Sequence, residues 1–202
     1  MARIQIGGAG GAPSNNFILS LRNSWRRDYL IGTSSVPSDL FLAEVDEKYV
    51  VAPATSPVYH DAIIRLLQRT TPDFLHVQND FEVQAISRIR DEVRKLGVSL
   101  FLPAAETVET CVDKYRSYEI WRTAGVKVPR TRLICSVDDL KQAFKELGPR
   151  VWIRATRGAA GQGALPTDSL EFARLWIERF NGWGAFSAAE CLTPGTVTWL
   201  SI

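Results

Sequence analysis

Cysteine and histidine are scarce, with three and two residues respectively in a chain of 202. Cys111, Cys135 and Cys191 lie far apart and form no CxxC pair, which removes the usual spacing for structural zinc or a dithiol redox couple. A reducing, cytoplasmic setting is expected. Charge of one sign is equally thin: 24 basic against 22 acidic side chains leave a formal net charge of +2. No nucleic-acid or membrane footprint follows from that balance, so any anion site must be local. No apolar run approaches the roughly 18 residues of a membrane span, and the opening MARIQIGG has no leader-like apolar region, so a soluble, unexported protein is expected. Internal repeats and low-complexity tracts are also missing.

What is present is a rhythm. Short apolar runs (RIQIGG, DYLIG, KYVVAP, DFLHV, SLFLP) alternate with segments of helical period at 14–23, about 37–44, 57–70 and 80–96. This alternation predicts an α/β fold, a doubly wound parallel sheet with helices on both faces, over residues 1–108. Asn79 and Glu82 have the spacing of a capping box at the start of the fourth helix. That helix places Val83, Ile86, Ile89, Arg90 and Val93 on one stripe. After Pro103 the rhythm changes. An amphipathic helix stopped by Gly125 leads into TRLIC, a helix at about 137–147, RVWIRA, a glycine-rich loop, GALP, a helix opened by Thr167 or Asp168, FSAAECL, and an apparent last strand, TVTWLSI.

Two glycine clusters invite a phosphate reading. GGAGGAP at 7–13 lies between the first strand and first helix, where dinucleotide proteins wrap a pyrophosphate. Counted from Gly8, however, the third glycine of GxGxxG falls on Pro13, and the second strand ends without an acid for a ribose. A tight turn that lets the chain cross close over the sheet edge is the better reading. The second cluster, Gly158, Gly161 and Gly163, sits inside a strand-loop-strand. Its backbone amides can approach oxygen atoms freely, and Arg154 and Arg157 add guanidinium forks suited to phosphate. The alternative is a mobile hairpin with incidental arginines. His76, at a strand end, and His60, early in a helix, read as structural. Cys191 reads as a small buried hydrophobe. Trp176, Phe180, Trp183 and Phe186 read as packing between helix and strand.

The order of signals around the second cluster resembles the ATP-grasp superfamily, most closely the large chain of carbamoyl-phosphate synthase and more distantly biotin carboxylase. The residues that carry the likeness are Asp113-Lys114 opening a helix that ends in Ala124-Gly125-Val126, the strand-borne Arg154, the glycine loop, and Glu190-Cys191-Leu192 before Pro194-Gly195. HVQNDFEVQAIS is similar to the sheet domain that precedes the ATP-grasp fold in those enzymes. The resemblance implies an incomplete ATP-grasp domain over 109–202: a linker helix, the lid subdomain and the start of the second subdomain. It implies that Lys114 and Arg154 hold the nucleotide phosphates and that residues 158–163 form a lid, with Arg157 beside it. It also implies that Glu190, Cys191 and Leu192 form a hinge against the adenine, the Glu190 side chain accepting from its amino group.

The implied cofactors are ATP and magnesium. The implied activity is activation of a small carboxylate or bicarbonate as an acyl phosphate, which a nitrogen nucleophile attacks. The family's ribose carboxylate has no counterpart after Gly195, and its metal ligands, a Glu and a Glu-x-Asn pair, would lie beyond Ile202. The expectation is therefore the N-terminal part of a longer ligase, binding nucleotide weakly alone and not turning over. A non-catalytic nucleotide-binding or subunit-interaction module is the alternative, and a Rossmann oxidoreductase using the first cluster is a third. The oligomeric state is left open, a homo-oligomer included.

Overall fold

A computed structural model describes residues 1–158, 161 and 163–192, and divides the chain into two compact units, Met1–Glu109 and Thr110–Ile202. The predicted strand over 196–202 and Pro194-Gly195 lie outside the described residues.

The first unit strings β1 (Arg3–Ile6), α1 (Ala12–Arg22), β2 (Tyr29–Ser34), a 3-10 helix (Pro37–Leu42), β3 (Glu47–Val50), α2 (Tyr59–Thr70), β4 (Phe74–His76), α3 (Asp80–Arg88), α4 (Arg90–Lys95) and β5 (Ser99–Leu100). Every strand pair is parallel, in the order β3-β2-β1-β4-β5. Successive strand residues face opposite sides, so Ile4, Ile6 and Leu30 pack with Ile18 of α1, while Leu75 packs with Ile63, Leu67, Ile86 and Val93 of α2, α3 and α4. Helices therefore cover both faces, the doubly wound arrangement expected from the alternation.

Two local expectations need correction. Residues 80–96 form two helices, not one, because the chain tightens at Ile89, whose N–H bonds Ile86 three residues back. Arg90, an arginine on the apolar stripe, turns its guanidinium back to the Ser87 and Pro103 carbonyls at 3.0 and 2.8 Å. The stretch read as helical at 37–44 is a 3-10 turn that opens at Pro37.

In the second unit, after α5 (Ala105–Cys111), within which the division falls, come α6 (Lys114–Thr123), β6 (Thr131–Ile134), α7 (Val137–Leu147), β7 (Val151–Ala155), β8 (Leu165–Thr167), α8 (Leu170–Arg179) and β9 (Phe186–Glu190). The four strands are antiparallel in the order β6-β9-β7-β8. One face buries Ile134, Val151, Ile153, Phe186 and Ala188 against Leu140 and Ala143 of α7 and Ala173 and Ile177 of α8. Helix starts follow side-chain capping: Asp113 accepts from Tyr115 and Arg116, Ser136 from Asp139, and Ser169 from Phe172. Ser169 thus opens α8, one residue beyond the expected Asp168; Thr167 ends β8 and its hydroxyl accepts from the Ser169 N–H. Gly125 stops α6 in the left-handed region at φ +77.

Candidate functional site

With α7 and α8 on one face of the antiparallel sheet, its other face carries the alternate residues: Thr131 of β6, Trp152 and Arg154 of β7, Pro166 of β8, and Ser187 and Ala189 of β9. Along α6, Lys114, Tyr118 and Trp121 recur at the four- and three-residue steps of one helical stripe. Together they line a cavity of about 550 Å³, whose wall also includes Val128, Arg150, Glu190, Cys191 and Leu192. The residues expected at phosphate and hinge thus share one cavity within one unit.

Arg154 is the informative member. Its Nε is buried without a hydrogen-bond partner among the described residues, and burial holds its guanidinium below its ordinary pKa. A half-buried cation with no carboxylate beside it among the described residues is costly unless an anion completes it. Lys114 is differently placed. Its backbone N–H bonds the Thr156 carbonyl at 2.8 Å, and its Nζ donates to the Gly158 carbonyl at 2.5 Å, so it braces the entry to the glycine loop.

The other predicted residues divide. Arg157 is half exposed and pairs with Asp113 at 3.3 Å, so this guanidinium also serves the cap of α6 and is not in the cavity wall. Gly158 and Gly161 have positive φ (+124 and +72) and open space where a side chain would be. Gly163 is packed against Phe186, and its carbonyl accepts from Trp176 Nε1 at 3.2 Å. Ala159, Ala160 and Gln162 of the expected lid are outside the described residues.

Glu190 has side-chain partners of its own. The register pairs it with Val151, on the helix-covered face, and its carboxylate accepts from the Arg130 backbone N–H at 2.8 Å and from Arg130 Nε at 2.6 Å. These bonds, the backbone one foremost, hold its carboxyl below the usual range. The Glu190 backbone N–H is likewise taken, by the Arg130 carbonyl at 2.9 Å, which leaves only the carbonyl at this position for a base edge.

The first glycine cluster folds as the tight crossing. A Cβ on Gly10 (φ +97) would stand 1.9 Å from the Asp39 carbonyl oxygen, and one on Gly7 would stand 2.4 Å from Glu82 Oε2. Beside the crossing, at the carboxyl ends of the parallel strands, lies a cavity of about 410 Å³ lined by Gly8, Ser14, Ser34, Asp39, Asn79 and Glu82 among others. Its lining holds two acids and no lysine or arginine, which suits a pyrophosphate poorly.

Glu82, read from the sequence only as a capping residue, is 6% exposed. Its N–H bonds Asn79 Oδ1 at 2.9 Å, the first half of the capping box. Its carboxyl, however, takes hydrogen bonds from Asn79 Nδ2 (2.6 Å) and the Tyr59 hydroxyl (3.3 Å). Burial outweighs those bonds and pushes its pKa up to about 7, so near neutral pH it can give or take a proton. Nothing local in the sequence signals that burial. The wall residues Trp152 and Arg150 were also missed, although a period of two from Arg154 reaches both.

His76 stacks on Phe17 at 3.8 Å between ring centroids, and burial lowers its pKa. His60 is an exposed partner of Glu92. Among the described residues no helix is long and apolar enough to cross a membrane. Among the same residues no group of three or more His, Cys, Asp or Glu is placed to hold a metal ion.

No protein-family model matches the chain. Among curated proteins, 129 residues are 28% identical to a pyruvate carboxylase subunit of Methanothermobacter thermautotrophicus, covering 61% of this chain and 26% of that protein. A further match, 37% identical over 76 residues, is to the β subunit of the ADP-forming succinate–CoA ligase of Paraburkholderia phytofirmans, covering 35% and 20%. Among solved structures, N5-carboxyaminoimidazole synthetase of Staphylococcus aureus complexed with ADP superposes with a TM-score of 0.72 at 17% identity, over 95% of this chain and 48% of that one. The biotin carboxylase domain of Hydrogenobacter thermophilus 2-oxoglutarate carboxylase, solved with MgADP, ADP and bicarbonate, gives 0.68 at 17% identity, over 95% and 44%. The chain spans between a fifth and about a quarter of these curated relatives and under half of these solved neighbours. Its resemblance to the ATP-grasp superfamily holds in sequence and in fold.

Proposed function

Given an ATP-grasp fold and ATP-grasp relatives, we propose that the second unit is the nucleotide-binding part of an ATP-dependent ligase that activates a carboxylate or bicarbonate as an acyl phosphate for attack by a nitrogen nucleophile. The single observation that carries this is Arg154, a desolvated guanidinium without a partner among the described residues, facing a cavity shared with Lys114 and three aromatic side chains. On this reading residues 1–108 are the sheet domain, and 109–202 comprise the linker helix, the lid subdomain and the start of the second ATP-grasp subdomain.

The chemistry follows from the wall. Phosphate oxygens complete Arg154 by bidentate hydrogen bonds, and the glycine loop lays backbone amides against them, stabilising charge on a transferring phosphoryl group. Lys114 holds the loop at its Gly158 end. The flat base lies against Trp152 and Trp121, beside the backbone of residues 190–192. No step is assigned to a metal. The acid-lined cavity of the first unit suits a neutral or cationic amine better than an anion, and Glu82 is a proton acceptor of suitable pKa for such a ligand. That property makes it our candidate seat for the nitrogen nucleophile.

The test is Arg154→Met. Removing a half-buried cation whose Nε lacks a partner among the described residues should leave the thermal midpoint unchanged or raise it, while displacement of a fluorescent ATP analogue weakens by about a hundredfold, in line with the loss of a charged, bidentate contact. Unchanged nucleotide affinity would remove Arg154 from the site, and a collapse of the midpoint would make it a structural residue.

A further inference from the structure

The nucleotide reading places phosphates at the Arg154 and Lys114 end of the second-unit cavity, and the strand geometry then says what stands at the other end. Arg150, Trp152 and Arg154 are spaced by two and so face the same side of the sheet, with Arg150 about 13 Å from Arg154 at strand rise. All three are in the cavity wall. Val151 pairs with Glu190, so one step further back Arg150 lies level with Cys191, at the hinge end where the base belongs.

Among the described residues the polar side chains at that end are few. Glu190, the acceptor that would suit the adenine amino group, is bound to Arg130 on the opposite face of the sheet. Val128, Pro129 and Trp121 are apolar or stacking surfaces. Arg150 is exposed, and its side chain has no hydrogen bond or ion pair with a described residue. The side chain offered to the base edge is therefore a donor-only fork, where an adenine reader would combine donor with acceptor.

A guanidinium fork matches two adjacent acceptors. Guanine presents O6 and N7 side by side, whereas adenine presents N7 beside an amino donor, which faces Arg150 donor to donor. We propose that Arg150 is a specificity-determining residue that admits guanine nucleotides to this cavity alongside adenine nucleotides. The inference rests on the nucleotide reading above and adds the base to it.

The experiment is competition against a fluorescent nucleotide analogue, with ATP and GTP titrated separately into the full 202-residue chain, then into Arg150→Ala and Arg150→Gln. In the unsubstituted chain GTP should compete within about tenfold of ATP. Arg150→Ala should lower the ratio of GTP affinity to ATP affinity by about tenfold or more, the discrimination typical of one bidentate purine contact. Arg150→Gln, which restores an acceptor, should shift the ratio further toward ATP. GTP competing more than a hundredfold less well than ATP in the unsubstituted chain would overturn the proposal. So would an Arg150→Ala variant that weakens both nucleotides equally, which would make Arg150 a general attractor of phosphate charge. Those two results leave the nucleotide reading standing, whereas failure of both nucleotides to compete would remove that reading and this one with it.

Discussion

Lys114 Nζ donates to the Gly158 carbonyl at 2.5 Å across 44 residues of chain, while its own backbone N–H bonds the Thr156 carbonyl. The first residue of α6 thereby clamps the strand end that leads into the glycine loop. A charged donor used in this way fixes where the loop begins, so in the proposed nucleotide reading Lys114 serves through loop position as well as through its charge.

Lys114→Met keeps the length of the aliphatic stem and removes the ammonium. Loss of a charge-assisted hydrogen bond costs about 1.5–3 kcal/mol where it is fully expressed. The expected outcome is faster amide exchange around residues 156–158 and at least about tenfold weaker nucleotide binding. Hydrogen exchange followed by mass spectrometry on free and nucleotide-loaded protein checks both; unchanged exchange in the free protein would show that the clamp does not hold the loop.

Glu82 ties stability to pH with a definite sign. Its carboxyl is raised from 4.5 to about 7 by burial, so between those values the folded state keeps a proton that the unfolded state has released. Its contribution is therefore favourable at low pH, falls as pH rises from about 4.5 to 7, and levels off above. The full change is about 3 kcal/mol at 1.36 kcal/mol per unit. Glu82→Gln retains polar atoms for Tyr59 and Asn79 and has no charge to bury. Urea unfolding of both proteins from pH 4.5 to 8 should show Glu82→Gln gaining on the parent by up to this amount as pH rises. A pH-independent difference would place the Glu82 pKa near its ordinary value.

Gly10 and Gly97 share a left-handed φ (+97 and +81) but not their surroundings. A Cβ at Gly10 meets the Asp39 backbone at 1.9 Å, and one at Gly97 meets nothing within 4 Å. Gly97→Ala should cost about 1 kcal/mol from backbone strain alone. Gly10→Ala should cost more than about 3 kcal/mol, because strain is joined by a clash with main chain that cannot rotate away. Denaturant midpoints of the two variants make the comparison, and equal costs would mean that the crossing of residues 34–39 over the glycine turn is not tightly packed.

Much of this was legible from residue order. Short apolar runs marked RIQI, YLIG and VWIRA as strands, and their alternation with helical segments predicted the doubly wound sheet. The Asn79 cap and the Gly125 stop were also readable, because a cap or a left-handed terminus depends on a few neighbouring residues. The break at Ile89 was not, since it involves Arg90 reaching to Pro103, thirteen residues away.

The candidate site divides along the same line. Residue types and their order determined that a lysine at a helix start, a strand-borne arginine, a glycine loop and Glu190-Cys191-Leu192 occur in sequence, and the period of two of a strand puts Arg150, Trp152 and Arg154 on one face. Only the tertiary structure decided which face carries the cavity, because the pairing of Val151 with Glu190 and of Arg154 with Ser187 sets the registers of strands far apart in the chain. That register turned the Glu190 carboxylate to Arg130 and left Arg154 facing open space. It was likewise tertiary packing that brought Glu82 over Gly7, across 75 residues, where loss of water raised its pKa. Local spacing specifies backbone conformation and facing; burial and long-range pairing, which control desolvation and hence charge, exist only once the distant segments have met.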